Sequence, residues 1–376
     1  MNNDDIQKID GFSLTWILVN LMGTTAALFI PFSAATIAGH DAWMAPFVGA
    51  LYGAYAIYIA YRLANLFPGK TFFEYLPLIV GKAAGKVLGL AYIVFLFYLT
   101  SSVIREFVAL LYGTGTYKLT PPIVILLIFM AATTYVVLAG IEVLGRTVGI
   151  YAFIISIIVT VFIIMAIPYM KFDALLPWGE AGLKVIVKSE VVGFAYRSEL
   201  FVLGMILPYI RSNREGYIAA NIANLVLTYF MVIIIIAMIT VLGVETTSRS
   251  IYAVFFLADF IPPIGIKVFL VTTFVAAFWG KIAVLQFALS DGIAKTFGLK
   301  SYHYIALPVA ALLLALSFSF YNNIPDMLVS IPKTFPGVAL FFGYLIPTLL
   351  LLIAWLRSKF GLMAYPDQPA PTVSDA

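Results

Sequence analysis

Three charged side chains stand inside apolar runs of a 376-residue chain that is 63% hydrophobic and only 11% charged. They are Arg197 and Glu199 in GFAYRSELF and Lys281 in FVAAFWGKIAVLQF. A charge at the centre of a bilayer costs at least about 2.5–3.5 kcal/mol, so each of these residues demands a partner and marks a candidate site. Arg197 and Glu199 are two positions apart, about 200° around an intact helix, and cannot both face one cavity from it. A helix break at residues 193–196 relaxes that geometry and lets freed backbone groups line a polar pocket instead of lipid. Glu199 is then expected to face a central cavity, while Arg197 reaches a carboxylate or backbone carbonyls nearby. The competing reading is a buried ion pair of purely structural purpose. Lys281 lies too deep in its run to snorkel to the surface. It is either a proton carrier or a fixed structural cation.

Other chemistries have little material. The chain has no cysteine and two histidines, His40 and His303, both at the ends of apolar segments. Thiolate metal sites and cysteine nucleophiles are excluded, and no metal centre is expected. No nucleophile, base and orienting group can be assembled, so an enzyme is disfavoured and no cofactor is implied. The net charge of +4 leaves no nucleic-acid footprint. Gly23, Thr24 and Thr25 could offer backbone N–H groups to a carboxylate at a half-helix end, or serve close helix packing. Tyr98, Ser101, Ser102, Phe278 and Trp279 fall near the middle of their runs, where packing competes with ligand contact. Arg105 and Glu106 read as an interfacial pair.

The elements that must carry these residues are membrane helices. The mean hydropathy is +1.04, and runs such as PPIVILLIFMAATTYVVLAG meet the length of about 20 residues that a spanning helix needs. Barrel-type alternation is absent, which makes this an all-α integral membrane protein. The polar opening MNNDDIQKID lacks the form of a cleavable signal, so the first span is expected to be retained. Ten spans are predicted, at 12–38, 42–66, 86–112, 121–139, 146–168, 184–210, 216–243, 264–290, 303–321 and 335–357. Lys and Arg are more numerous on the side of the amino terminus, Arg62, Lys82, Arg146 and Arg214 among them, which puts both termini in the cytoplasm. Residues 358–376 read as a polar, disordered tail.

The spans fall into two sets of five, 12–168 and 184–357. The first span of each carries a candidate break at a similar offset, Gly23, Thr24 and Thr25 in one and Gly193, Phe194, Ala195 and Tyr196 in the other. Each second span is followed by a connection of similar length. Five is odd, so the second set enters from the opposite side, the inverted-repeat plan of many secondary transporters. In a LeuT-like arrangement of this kind Lys281 lies beside the break of span one, where sodium-coupled proteins hold a cation.

The ordered blocks AGHDAW, LFPGKTFFEYL, IVGKAAGKVLG, TPP at 120–122, GIEVLGR at 140–146, LLPWGE at 175–180 and LPY at 207–209 resemble the spore germination permease family. That family supplies the B subunits of germinant receptors in endospore-forming bacteria and belongs to the amino acid–polyamine–organocation superfamily. The likeness runs from about residue 10 to 357. It implies a LeuT-like fold with helices 1 and 6 interrupted, a place in the spore inner membrane beside A and C subunits, and a small nutrient, typically L-alanine, as ligand. By position it implies a pocket at Gly23 to Thr25 and Gly193 to Tyr196, with Glu199 in the family's acidic position. The family commonly has Gly before that Glu, whereas Ser198 stands here. An autonomous proton-coupled amino acid transporter is the alternative reading.

Overall fold

A computed structural model describes residues 8–115, 120–262, 265–321 and 323–360. Lys118 and nearly all of the expected tail at 358–376 lie outside these residues. The described chain is helical, and its one β-bridge joins Ile9 to Ile210. In chain order the helices are α1 (Gly11–Ala38), α2 (Ala45–Leu66), α3 (Phe72–Val80), α4 (Lys82–Gly113), α5 (Pro122–Leu138) and α6 (Ile141–Ala166). There follow α7 (Leu183–Ser189), α8 (Val191–Arg197), α9 (Leu203–Ile206), α10 (Asn213–Arg249) and α11 (Ala253–Leu257). The chain closes with α12 (Ile266–Phe297), α13 (His303–Ser319), α14 (Ile324–Ala339) and α15 (Ile346–Lys359).

Among the described residues seven segments are long and apolar enough to cross a membrane, and the first, Gly11–Leu66, contains both α1 and α2 across a 3-10 turn. The apolar helices α5 and α13 have 17 residues each, about 25 Å at 1.5 Å per residue. Each predicted second-span connection holds a short helix, α3 in one and α11 in the other. Helix α10 bends where the predicted span ends, because Gly243 adopts φ 81° and ψ 162° inside it.

Burial sorts the helices into centre and periphery. In the most apolar stretch of Gly11–Leu66, 89% of residues are buried, and in Val191–Tyr209 83%, against 28% in Ile141–Tyr169. Helix α1 packs on α10, α6 and α12, while α8 packs on α2 and α14 and the 3-10 turn after it packs on α2. Helices α4, α5, α12 and α13 pack on one another. The outward faces carry Ile128, Ile150, Leu307 and Leu352, all exposed, as lipid-facing positions are.

One expected feature of the first span is corrected. Helix α1 runs unbroken through Gly23, Thr24 and Thr25. Thr24 Oγ1 donates back to the Asn20 carbonyl at 2.6 Å. A Cβ at Gly23 would make only an ordinary contact with Leu227, at 3.5 Å, so neither a break nor a close approach depends on this glycine. A break would also free carbonyls that need a donor in a water-poor interior. The nearby cation, Lys281, takes a side-chain hydroxyl instead, as shown below.

The opposite ends of the bundle are tied by residues from the matched blocks. Buried Asp41 of AGHDAW accepts from the Gly179 amide of LLPWGE at 2.8 Å and from the Ala181 amide just after that block at 2.9 Å. At the other end the Ile9 amide donates to the Tyr209 carbonyl at 2.9 Å, and the Gly11 amide donates to Glu215 at 2.7 Å. Hydrogen bonds to a charged group contribute about 1.5–3 kcal/mol. Asp41→Ala is therefore expected to release the loop around Gly179, read as faster limited proteolysis there with the helical circular dichroism unchanged.

Candidate functional site

The first span of the second half is the irregular element. After α8 come a 3-10 turn at Ser198–Val202, α9, and a second 3-10 turn at Leu207–Tyr209. The interruption thus begins at Ser198, and the break expected at 193–196 is corrected, since Gly193, Phe194, Ala195 and Tyr196 are all helical in α8. Gly193 serves packing instead, because a Cβ there would fall on the Glu190 carboxylate. The 3-10 stretch lies against a π-helical stretch, Leu340–Leu345, that joins α14 to α15. Tightened and widened turns thus face each other, and widened turns of this kind are frequent at functional sites. Tyr344 donates to the Phe194 carbonyl at 3.1 Å.

Arg197 and Glu199 face opposite ways, as their spacing requires. Arg197 is fully buried and holds α8 to α2 and α10. Its guanidinium donates to Asn224 Oδ1, to Thr228 Oγ1 at 3.1 Å and to the Pro46 carbonyl at 3.2 Å, with Nε 3.8 Å from Glu190. Gly49 and Gly53 of α2 face this cluster, since a Cβ at Gly49 would meet Glu190 and Arg197 and one at Gly53 would meet Asn224.

Glu199 faces α12. Lys281 Nζ donates to Glu199 Oε1 at 2.7 Å, to Oε2 at 2.8 Å and to Thr25 Oγ1 at 2.7 Å. An ammonium has three donors, and these three acceptors take them all. The cation also lies 5.5 Å from the centre of the Tyr196 ring, within cation–π range. One side-chain cluster thus joins α1, the broken span and α12.

A cavity adjoins this cluster between α4, the broken span and α14. Its volume is about 10 Å³, the space of one water molecule. Tyr98, Ser102 and Glu106 come from α4, Tyr196 and Glu199 from the broken span, and Ile331 and Phe335 from α14, with Leu99 and Val103 completing the apolar wall. Among the predicted residues it therefore gathers Tyr98, Tyr196 and Glu199, with Thr25 and Lys281 behind them. Gly23 and Thr24 instead line a separate apolar cavity among α1, α6, α10 and α12, of about 80 Å³. Phe194 stacks on Tyr344 at 4.4 Å, and Phe278 packs on Phe107 at 5.6 Å; neither lines the Glu199 cavity. Ala195 is buried, and its carbonyl accepts from Ser198.

Glu106 corrects the interfacial reading of the Arg105–Glu106 pair. It is 5% exposed and turned to the cavity, while Arg105 lies over Phe318 at 5.7 Å. Neighbours on a helix diverge by about 100°, so adjacency in sequence is no pairing. The signal that finds Glu106 is its offset from Tyr98 and Ser102, eight and four positions back on one helical face.

The sequence profile described as spore germination protein matches residues 8–326. The chain belongs to the spore germination protein family. Among its relatives, spore germination protein KB of Bacillus subtilis is 24% identical over 340 residues, covering 86% of this chain and 89% of that one. Spore germination protein YndE of the same organism is 24% identical over 369 residues, covering 94% and 98%. The fold of the family member is shared with solved transporters. A substrate-bound, outward-open Na+-coupled sialic acid symporter superposes with a TM-score of 0.69 at 13% identity, over 93% of this chain and 79% of that chain. Mhp1, a nucleobase–cation–symport-1 family transporter in a closed conformation with bromovinylhydantoin bound, gives 0.63 at 12% identity, over 90% and 78%. The LeuT-like fold expected from the sequence is therefore present in this multi-pass membrane protein.

Removing one partner of a buried ion pair costs about 3–5 kcal/mol, because the other charge is stranded, whereas an apolar pair of similar volume is often tolerated. Lys281→Met alone is thus expected to lower the melting temperature of the detergent-purified protein sharply. Adding Glu199→Leu should restore most of the loss. A single variant as stable as the parent would show that the two charges are not coupled.

Proposed function

We propose that this chain is the membrane subunit of a germinant receptor, which binds a small nutrient, an amino acid such as L-alanine, in the cavity beside Glu199. Its A and C partner subunits, its place in the spore inner membrane and its cytoplasmic termini belong to this reading. The observation that carries it is the small cavity flanked by the Lys281–Glu199–Thr25 cluster, midway along the broken span. Family membership and the names of its germination relatives support the sensing role.

The two halves, 12–168 and 184–357, are read as inverted repeats. Matching contacts support this: α1 meets α6 as α8 meets α14, and α1 meets α10 as α8 meets α2. Helix α4 likewise meets α13 as α12 meets α5. Arg197 holds the broken span to α2 and α10, while Glu199 holds it to α12. A nutrient larger than a water must widen the cavity, which moves α14 or the broken span relative to α4. A ligand that prefers the widened arrangement shifts the population towards it, and a coupling of about 1–3 kcal/mol gives a 5- to 150-fold bias. The ammonium of Lys281, saturated by its own chain, acts here as a fixed cation rather than a proton carrier.

A second reading, autonomous proton-coupled amino acid transport, is favoured by the shared fold with coupled symporters. Proteoliposomes carrying the chain alone separate the two. The receptor reading expects radiolabelled L-alanine to bind without accumulating, and Tyr98→Ala to weaken binding at least about tenfold, since the ring forms a cavity wall. Accumulation driven by a proton gradient would establish the transporter, and binding indifferent to Tyr98→Ala would move the site elsewhere.

A further inference from the structure

We propose that a groove between α2 and α15 is a binding site for an anionic phospholipid, whose phosphate is taken by Arg62 and Lys359 and one of whose acyl chains lies along Leu351 and Leu352. The site is separate from the Glu199 cavity and independent of what that cavity binds.

The groove has a volume of about 280 Å³, with Tyr58, Arg62 and Leu66 of α2 on one wall and Leu351, Leu352 and Trp355 of α15 on the other. The α2 residues follow at intervals of four and so stand on one helical face. Thr348, Leu352, Trp355 and Lys359 follow at intervals of three or four and share a face of α15 in the same way. The Tyr55 hydroxyl lies 3.1 Å from Thr348 Oγ1 and sets the register. An equal number of residues further on, both helices end, α2 at Leu66 and α15 at Lys359.

Two cations at this end of the groove are unanswered by protein. Arg62 donates to the Tyr58 hydroxyl at 2.9 Å, which uses one of the five guanidinium donors. The Lys359 ammonium lies 5.4 Å from the centre of the Trp355 ring. Neither has an ion-pair partner among the described residues. Neighbouring cations are committed elsewhere: Arg357 donates to the Leu78 and Ile79 carbonyls at the end of α3, and Lys295 pairs with Glu74 at 3.2 Å. A phosphate suits the remaining pair, since a guanidinium fork grips two of its oxygens and an ammonium adds a point charge.

The walls decide what carries that phosphate. Leu352 and Trp355 are exposed, as lipid-facing positions are, and a tryptophan beside a cation at a helix end fits the level of lipid headgroups. A phospholipid anchored there lays its chains against Leu351 and Leu352. Free phosphate, or an acidic segment of another protein, would answer the cations and leave the apolar wall uncovered. The groove also adjoins the irregular part of the bundle. Thr348 Oγ1 donates to the Tyr344 carbonyl at 2.6 Å, and Tyr344 donates to the Phe194 carbonyl, so a lipid seated here braces α15 against α2 about one turn from the widened stretch.

The test is native mass spectrometry of the full chain in detergent with dioleoyl phosphatidylglycerol or dioleoyl phosphatidylcholine. Each basic residue favours an anionic headgroup about fivefold, so phosphatidylglycerol should be retained at least about tenfold more strongly. In Arg62→Gln combined with Lys359→Gln the two lipids should be retained within about twofold of each other. Arg214→Gln combined with Lys300→Gln, an equal loss of charge outside the groove, should keep the parent's preference. Should the groove pair fail to fold, Leu352→Trp, which fills the groove and keeps both cations, is expected to lose the retained phosphatidylglycerol. Equal retention of the two lipids by the parent, a preference indifferent to the groove variants, or one lost equally in the control pair would overturn the proposal. Displacement of phosphatidylglycerol by millimolar inorganic phosphate would reduce the site to a free-anion site. Binding of a poly-glutamate peptide that the groove pair abolishes, with lipid retention unchanged, would assign the surface to an acidic protein segment instead.

Discussion

The bundle is organised around the requirement that charge inside a bilayer be met by protein. Water screens and solvates a surface ion pair so well that such a pair contributes little. In the membrane interior nothing else is available, so an ammonium fixes the relative positions of whatever supplies its acceptors. Lys281 draws its acceptors from residues 82 and 256 positions away. Three helical segments are thereby held at one point, and the cavity lies beside that point.

The broken span owes its position to two neighbouring anchors of different reach. Arg197 spends its donors on α2 and α10, and Glu199 spends its acceptors on α12. Between them the backbone tightens into 3-10 geometry at Ser198, and the widened turns at Leu340–Leu345 lie against it. Small residues make the approach possible. At Gly49 and Gly53 any side chain would displace the Glu190, Arg197 and Asn224 groups, so the glycines of α2 are the space that the ionic cluster occupies. Close packing through small residues is general in membrane bundles; here it also brings polar groups within reach of one another.

Irregular helix and buried charge coincide at the broken span. Helix α1 stays regular, and its hydroxyls are engaged: Thr24 donates to the Asn20 carbonyl of the same helix, and Thr25 accepts from Lys281. The contrast leaves α1 as a regular wall beside the irregular span.

How much of this was legible in sequence depends on whether the controlling energy is local. Transfer of a residue into lipid is a property of that residue and its neighbours in the chain, so the apolar spans and the demand of Arg197, Glu199 and Lys281 for partners could be read directly. The opposed directions of Arg197 and Glu199 followed from helical spacing. The blocks AGHDAW and LLPWGE were visible too, although not that Asp41 of one would clasp the other. Partner choice is not local. Whether Gly23 breaks a helix or lies within an unbroken one, whether Gly193 bends the chain or makes room for Glu190, and whether Glu106 meets the interface or a cavity depend on side chains brought close only by the folded bundle. Composition therefore determined that buried charge must be answered, and tertiary packing alone decided by whom, because hydrogen bonds act over about 3 Å of space whatever the distance along the chain.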